Sequence, residues 1–426
     1  MQEKHTMSSE KLLKYCESKI HPLLKNLESK KIVIVPEYDR SKDKSSIEKV
    51  DKRFNWKRPT ADVKQNVGYL YVFPGEAYIR HYKKIYEQVG YSVEVKDLNT
   101  DIIRNEISKV FPNDFPHVDT VILGYVEPLA STGTWEGDGD IQWKLQSIKG
   151  ELVAFVGVKF SYWGDIIYYV TEKFSNYCSK ILYIGKLGSL NEDDEPNKTL
   201  ATGNVSSVNG EMIEWKNIFE DSSLVVKGNH LTVPSVLDET HEWFIQNNKE
   251  YRFVDPELGW IAKASRDFNL DFSYLHLITD NLHANFLEDL TTEREDSVLK
   301  KRYQYIGIIR SILWHTLGRE QEPSLYTAVM NAQQKRVDRG LMKALERNWN
   351  ACLSFAYHTQ EEAWEVVREL PRREWKDQEV IPEQVLSEIA DTQIQLLTTL
   401  MYAGYSEEDL ENAVLEKLGA KREDWK

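Results

Sequence analysis

Residues 181–190, which read ILYIGKLGSL, set the architecture that the sequence predicts. The apolar run 181–184 predicts a short buried strand, and Gly185, Gly188 and Ser189 predict a small-residue turn after it. Glycines in such a turn allow backbone N–H groups to approach an anion or a ribose closely. Because many strands end in glycine, the flanking sequence must decide what this turn does.

The sequence before this turn alternates short apolar runs with helical patterns. An amphipathic helix is predicted over 8–30 and a second helix over 76–89, whereas the charged segment 38–66 reads as a loop. Such alternation is typical of an α/β sheet with helices on both faces. Further strands are predicted at 32–35, 69–73, 92–95, 120–123 and 152–156.

Two acidic residues follow the turn at places where ligands bind in open sheets. Glu257 lies in VDPELG (254–259), directly before a helix predicted over Trp260 to Phe268, and Asp280 ends the apolar strand YLHLITDNL (274–282). Ligands in open α/β sheets bind beyond the carboxyl ends of the strands, so we expect Gly188, Glu257 and Asp280 to lie at such an edge. The structural alternative is that both acids only cap helices.

The order GxxGSL, VDPELG and LITDNL over residues 150–290 resembles the nucleoside phosphorylase/nucleosidase superfamily. The resemblance implies that the glycine turn lines the phosphate or ribose side of a site, that Glu257 binds ribose hydroxyls and that Asp280 protonates the purine N7. Protonating the departing base suits cleavage of an N-glycosidic bond, which builds oxocarbenium character on the sugar. Tyr183 stands near the place where phosphorolytic members carry an arginine, which favours water as the nucleophile.

Beyond residue 290 the sequence becomes helical throughout. A helix is predicted over 297–318, two helices over 325–370, and another over 383–403 with Gly404 as its C′ residue. Ser406 and Asp409 then predict a capping-box-like helix start. We therefore predict an α/β domain at 1–295, a helical connector at 296–324 and an all-α helical bundle at 325–426.

Paired carboxylates in this helical part predict a metal site. Glu362 and Glu365 are three residues apart, as are Glu388 and Asp391, so each pair projects from one helix face. Two antiparallel helices would bring the four acids together, and all-oxygen ligation suits Mg²⁺ or Mn²⁺. The second pair lies among apolar residues, which predicts a largely buried helix whose acids need a partner. The alternative is a solvated acidic helix face.

The pattern EExxE followed by ExxD resembles the MazG-like all-α nucleotide pyrophosphohydrolases over about residues 325–425. The resemblance implies that Glu362, Glu365, Glu388 and Asp391 hold Mg²⁺ and that Glu361 positions a metal-bound water. It also implies that Lys417 and Lys421 contact the substrate. Relatives of this class bury their sites across a dimer, so we expect a homo-oligomer.

Composition and charge limit the other partners. The formal net charge of −14 disfavours binding to nucleic acid or to a membrane surface, and no apolar run is long enough to cross a bilayer. The N-terminus lacks an apolar signal core, and the three cysteines are far apart, so we expect a cytoplasmic protein.

Together these features predict a bifunctional enzyme that degrades nucleotides. The C-terminal domain would cleave an NTP or dNTP to the monophosphate and pyrophosphate, and the N-terminal domain would cleave the base–sugar bond of a nucleotide or nucleoside. Depletion of a nucleotide pool, as in bacterial antiviral defence, is one hypothesis; unchanged cellular pools after expression would count against it. Two alternatives stay open, namely an α/β domain that only senses a nucleotide and a non-enzymatic scaffold.

Overall fold

The computed structural model describes the chain in two compact units, Met1–Arg319 and Glu320–Lys426. The residues that it describes are 5–39, 41, 53–130, 133–148, 150–219, 225–283, 286–288, 290, 292, 295–317, 329–330, 333–334, 336, 348–369, 382–406, 409–410 and 413.

The strands of the first unit include every strand that the sequence predicts. Their bounds are β1 Lys31–Pro36, β2 Thr60–Lys64, β3 Val67–Val72, β4 Ser92–Val95, β5 Thr120–Gly124, β6 Ile141–Ile148, β7 Glu151–Val158, β8 Lys180–Ser189, β9 Leu200–Thr202, β10 Val205–Val208, β11 Glu211–Glu214, β12 Val225–Lys227, β13 His230–Thr232, β14 Phe253–Asp255 and β15 Asp271–Asn281. The predicted loop at 38–66 was wrong at its end, since β2 forms there as the antiparallel neighbour of β3.

The described residues include helices at the predicted 76–89, 260–268, 297–318 and 383–403, whereas the helices at 100–110, 166–174 and 241–247 were not predicted individually. The bounds are α1 Ser9–Lys19, α2 Glu76–Gln88, α3 Thr100–Val110, α4 Ile166–Phe174, α5 His241–Asn247, α6 Leu258–Asp267, α7 Asp296–Leu317, α8 Trp349–Glu369 and α9 Pro382–Ala403.

Two predicted helical segments differ from expectation. Of the two helices predicted over 325–370, α8 is one, and the other falls largely outside the described residues. The helix predicted over 8–30 is shorter than expected. It ends at Lys19 because Pro22, which lacks a backbone N–H, starts a separate 3₁₀ turn at Pro22–Leu24.

The strands form two sheets. The smaller sheet has the order β2-β3-β1-β4, with β1 parallel to both β3 and β4. In the larger sheet β8 is the central strand: it pairs in parallel with β5 and with β15, and its last two residues pair antiparallel with β14. The path continues from β14 through β13 and β10 to β11, and from β15 through β9 to β12, while β7 and β6 extend beyond β5.

Alternating residues of the central strands face two separate apolar cores. Ile181 and Tyr274 belong to the core that includes residues of α2, α4 and α6, whereas Leu182 and Leu275 belong to the core that includes residues of α7. Helices therefore cover both faces of the larger sheet, as the sequence predicts. Helix α7, expected as a connector, buries Ile309 and Leu313 in this second core and falls within the first unit.

In the second unit, α8 and α9 are neighbouring helices, and the end of α9 is capped as predicted. Gly404 has a φ of +81°, and its N–H donates to the Met401 carbonyl while that of Tyr405 donates to the Leu400 carbonyl. Ser406 Oγ accepts from the Asp409 N–H at 3.2 Å, and an Asp409 carboxylate oxygen accepts from the Ser406 N–H at 2.8 Å, which is the expected reciprocal cap.

The expectation that α9 is largely buried around Glu388 and Asp391 was wrong for this chain. Ile389 is 41% exposed and Leu396 is 53% exposed, whereas Leu397 and Met401 are buried against Val329. The apolar residues of α9 are thus spread over two faces, and in the described residues only one of them is covered. None of the described helices combines the length and apolar character that a bilayer-spanning helix needs.

Two glycine-to-alanine substitutions should change stability in opposite directions. Gly404→Ala should lower the free energy of unfolding by about 1 kcal/mol, because its left-handed backbone strains any L side chain. Gly307→Ala is the matched control, since it lies inside α7 where a Cβ meets nothing within 4 Å. That change should raise stability by up to about 1 kcal/mol. Thermal unfolding of both variants measures the signs, and equal signs would contradict the cap.

Candidate functional site

The turn predicted at Gly185, Gly188 and Ser189 was wrong, because these residues form the second half of β8 and pair with β15 as far as Ser189. The predicted residues Gly185, Gly188, Ser189, Glu257 and Asp280 lie in this half of β8 or at the ends of the two strands beside it, and they are called here the strand-end site. Gly188 lies opposite both Val254 of β14 and Asp280 of β15. A Cβ added to Gly188 would lie 3.0 Å from Asp280 Oδ2 and 3.2 Å from Val254 Cγ1. A side chain at this position would displace a neighbour. One of these neighbours is the Asp280 carboxylate, which is proposed to act as the acid.

Asp280 owes its place to an irregularity in β15. The parallel register with β8 slips by one residue between Ile278 and Asp280, so Thr279 is an extra residue and Asp280 lies opposite Gly188. Such a bulge redirects the side chain that follows it. Asp280 is half-buried, and the Thr279 hydroxyl donates to it at 3.3 Å. Asp280 does not cap a described helix, so the capping alternative does not explain it.

Glu257 lies at the start of α6, but its side chain does not cap that helix. Burial raises its pKa well above the ordinary value, the charge of Asp255 adds to that increase, and Lys186 opposes it. Tyr162 and Tyr183 lie close enough that the charge of Glu257 raises the pKa of both phenols, after the larger effect of burial. Glu257 is therefore a carboxyl group held among aromatic and polar groups beside the second half of β8.

Ser189 is placed differently from the two glycines. Its side chain is fully buried and its hydroxyl donates to Asp194 Oδ2 at 2.6 Å. Arg252 donates to both oxygens of the same carboxylate, at 2.6 and 2.9 Å. In this geometry Ser189 holds the end of β8 from within, and its hydroxyl is committed to Asp194.

Three polar residues near the strand-end site were not predicted, namely His230, Asp255 and His276. Asp255 Oδ1 accepts from the N–H groups of Glu257 and Leu258 at 2.8 and 2.7 Å, so it is the residue that caps α6. Burial disfavours its ionisation, but His230 and His276 outweigh that effect and hold the pKa of Asp255 below its ordinary value. The sequence signal was available, since a histidine inside an apolar strand needs a buried partner.

The carboxylates predicted in the second unit also come together. Glu362, Glu388 and Asp391 place one oxygen each within 4.8 Å of one another. Glu365 is within hydrogen-bonding reach of Glu388, and burial together with the charges of Glu365 and Asp391 raises the pKa of both Glu362 and Glu388. These four acids form the carboxylate cluster. An all-oxygen donor set with mutual repulsion fits a hard divalent cation.

The other residues predicted to act with this cluster are placed only in part. Glu361 is exposed one turn from His358, whose Nδ1 lies 3.1 Å from Glu361 Oε2. Lys417 and Lys421 lie outside the described residues. A separate cavity of about 290 Å³ in the first unit shares no lining residue with the strand-end site; its lining includes Glu76, Arg104, Asp165, Tyr169, Trp260 and Lys263.

Comparisons with known proteins find similarity only among solved structures, since no protein-family model and no curated protein matches the chain. A purine nucleoside phosphorylase from Toxoplasma gondii is 10% identical, covers 47% of this chain and 90% of its own, and has a TM-score of 0.38. A 5'-methylthioadenosine/S-adenosyl homocysteine nucleosidase from Campylobacter jejuni is 11% identical, with coverages of 47% and 98% and a TM-score of 0.37.

A futalosine hydrolase mutant from Helicobacter pylori gives similar values, with 12% identity, coverages of 47% and 99% and a TM-score of 0.37. These structures align with about half of this chain, and their scores and identities are low. The assignment of an activity therefore depends on the residues of the two sites.

Removing one acid from the carboxylate cluster should change the response to Mg²⁺. Glu388→Gln relieves repulsion, so we expect a higher metal-free Tm than in the unaltered chain. Because the folded pKa of Glu362 and Glu388 is raised, the metal-free protein should lose stability as the pH rises from the ordinary glutamate pKa through the raised values. Added Mg²⁺ should raise the Tm of the unaltered chain but not of Glu388→Gln.

The matched control for this experiment is Glu10→Gln, a single charge removal on α1 in the first unit. It should leave the Mg²⁺ response intact. A Tm that is insensitive to Mg²⁺ in the unaltered chain would support a solvated acidic face instead of a metal site.

Proposed function

We propose that this chain degrades nucleotides with two active sites. The strand-end site cleaves an N-glycosidic bond of a nucleotide or nucleoside, and the carboxylate cluster hydrolyses an NTP or dNTP to the monophosphate and pyrophosphate. The observation that supports the proposal is that Gly188 of β8 pairs both with Asp280 of β15 and with Val254 of β14, the strand that Glu257 follows.

The two acids of the strand-end site carry the chemistry of base cleavage. Asp280, at the bulge in β15, donates a proton to the leaving base, which lowers the barrier to departure. Glu257 accepts hydrogen bonds from the ribose hydroxyls and orients the sugar. Gly185 and Gly188 leave the backbone of β8 uncovered, and because they are three residues apart in a strand they do so on opposite faces.

In the second unit, Glu362, Glu365, Glu388 and Asp391 would hold Mg²⁺ or Mn²⁺. When bound, such an ion polarises a phosphate and lowers the pKa of a water ligand. The chain itself supplies the acidic cluster on α8 and α9, and Glu361 would position the attacking water. The exposed apolar side chains of these helices, including Leu353, Trp364 and Leu386, agree with a homo-oligomer that covers them.

The two activities should separate by substitution. Asp280→Asn keeps the shape of the acid but removes the proton, so it should abolish release of free base while pyrophosphate release continues. Glu388→Gln should do the reverse with an NTP substrate. Chromatography of base, monophosphate and pyrophosphate after incubation with Mg²⁺ and a panel of NTPs, dNTPs and nucleosides gives the answer.

Each outcome of this panel has a clear meaning. Pyrophosphate without free base from any substrate would leave the first unit as a nucleotide sensor and reject the cleavage proposal. Free base without pyrophosphate would reject the second activity. No turnover at all would favour a scaffold.

Base cleavage should also depend on pH through Glu257. Its raised pKa means that it releases a proton only as the pH increases, and ribose hydroxyl donors bind better to the ionised carboxylate. The value of kcat/KM for base release should therefore rise with pH through that pKa. Glu257→Gln should lower kcat/KM and remove this ascending limb; an unchanged limb would assign it to another group.

A further inference from the structure

A buried cluster of His230, Asp255 and His276 lies beneath the strand-end site and has no part in the chemistry just proposed. The two histidines are fully buried and Asp255 is 5% exposed. His230 Nε2 lies 3.3 Å from Asp255 Oδ1, and His276 Nε2 lies 3.7 Å from Asp255 Oδ2. Burial of a carboxylate costs free energy of desolvation. The contacts of this carboxylate therefore indicate what it does in the fold.

The hydrogen bonds fix where the proton of His276 lies. The Gly185 N–H donates to His276 Nδ1 at 3.2 Å, so Nδ1 is an acceptor and the proton of the neutral ring is on Nε2. That N–H points towards Asp255 Oδ2. In the part of the chain that the structure describes, neither Nε2 nor Oδ2 has a hydrogen-bond partner, so the two buried atoms are the natural partners of each other.

His230 contacts the Asp255 carboxylate from the other side. Its Nε2 faces Asp255 Oδ1, and its Nδ1 forms a hydrogen bond with the Ser206 hydroxyl at 2.9 Å. Ser206 Oγ in turn lies 3.4 Å from Thr232 Oγ1, which accepts the Gly259 N–H at 3.0 Å. The Nε2 atoms of both imidazoles therefore face one carboxylate.

Asp255 and His276 together connect two walls of the strand-end site. Asp255 Oδ1 holds the backbone N–H groups of Glu257 and Leu258, whereas His276 Nδ1 holds the N–H of Gly185. Tyr183 packs edge-on against the His276 ring with 4.6 Å between ring centroids, and Tyr274 packs on it at 5.0 Å. Rotation of the His276 ring would break its hydrogen bond to the Gly185 N–H of β8.

We propose that His276 is a positioning residue that couples Gly185 of β8 to Glu257 through Asp255. This inference rests on the proposed base cleavage and deepens it. His276 Nε2 lies 3.7 Å from Asp255 Oδ2, and this link holds Glu257 and the Gly185 segment of β8 at a fixed separation. A metal-binding role for His276 does not fit, because its Nδ1 already accepts an N–H and its Nε2 carries the proton.

Two substitutions divide the roles of His276. Asn places an oxygen near the position of Nδ1, so His276→Asn can still accept from Gly185 but cannot reach Asp255. Gln places its amide nitrogen near the position of Nε2, so His276→Gln can still donate to Asp255 but leaves the Gly185 N–H without an acceptor. If the residue acts as a link, both variants should lower kcat/KM for base release at least about tenfold, because both lose alignment of the two walls.

His81→Gln is the matched control for loss of a buried histidine. His81 is equally buried and bonds Ser235 at 2.9 Å, but it lies in α2 and does not belong to the cluster. It should lower the Tm as much as the His276 variants do while leaving kcat/KM within about twofold of the unaltered chain. Activity that follows Tm across all three variants would overturn the proposal, as would an unaltered kcat/KM in either His276 variant.

Hydrogen exchange separates failure of this inference from failure of the proposed reaction. With or without base release, His276→Gln should speed exchange in peptides covering residues 184–189, and His276→Asn should speed exchange in peptides covering 256–259. Absence of base release in the unaltered chain with these exchange changes present would reject the reaction and keep the coupling. Base release with no exchange change would keep the reaction and reject the coupling.

Discussion

The pairing of β8 on both sides is the constraint on which the first unit depends. Its first half is held between β5 and β15, whereas its last residues are held between β15 and β14. Gly188 lies where the partners change, opposite both Val254 and Asp280, and a Cβ added there would lie 3.0 Å from the Asp280 carboxylate and 3.2 Å from the Val254 side chain. The position of Asp280 beside this strand is thus a product of strand pairing.

Electrostatics then limits what this edge of the sheet can hold. Asp255 and Asp280 lie on the two strands that flank β8, and Glu257 directly follows one of them. Asp255 is buried, whereas Glu257 and Asp280 are half-buried. Asp255 is compensated by two histidines and two backbone N–H groups, which leaves Glu257 as the acid whose ionisation is disfavoured. Two carboxyl groups two residues apart therefore have opposite tendencies, since the pKa of Asp255 is lowered and that of Glu257 is raised.

Much of this arrangement follows from the sequence, but its connections do not. Apolar runs such as 181–184 and 120–123 predicted strands correctly, since a strand buried on both faces has few alternatives. Strand β2 was missed because charged residues precede it and only its pairing with β3 defines it. His276 could be recognised as unusual, but its partner Asp255 comes from β14, and no local pattern predicts which two strands meet.

The bulge at Thr279 makes the proposed acid sensitive to chain length as well as to residue type. Beyond this point β15 is one residue out of step with β8, and Asn281 uses the shifted register to donate to the carbonyl groups of Asn191 and Asp194. Substitution of a residue in β15 leaves the register with β8 unchanged. Deletion or insertion of one residue at the bulge shifts the pairing of every later residue of β15. In the descent of such a protein, a single-codon deletion could silence the site in one step while sparing the sheet.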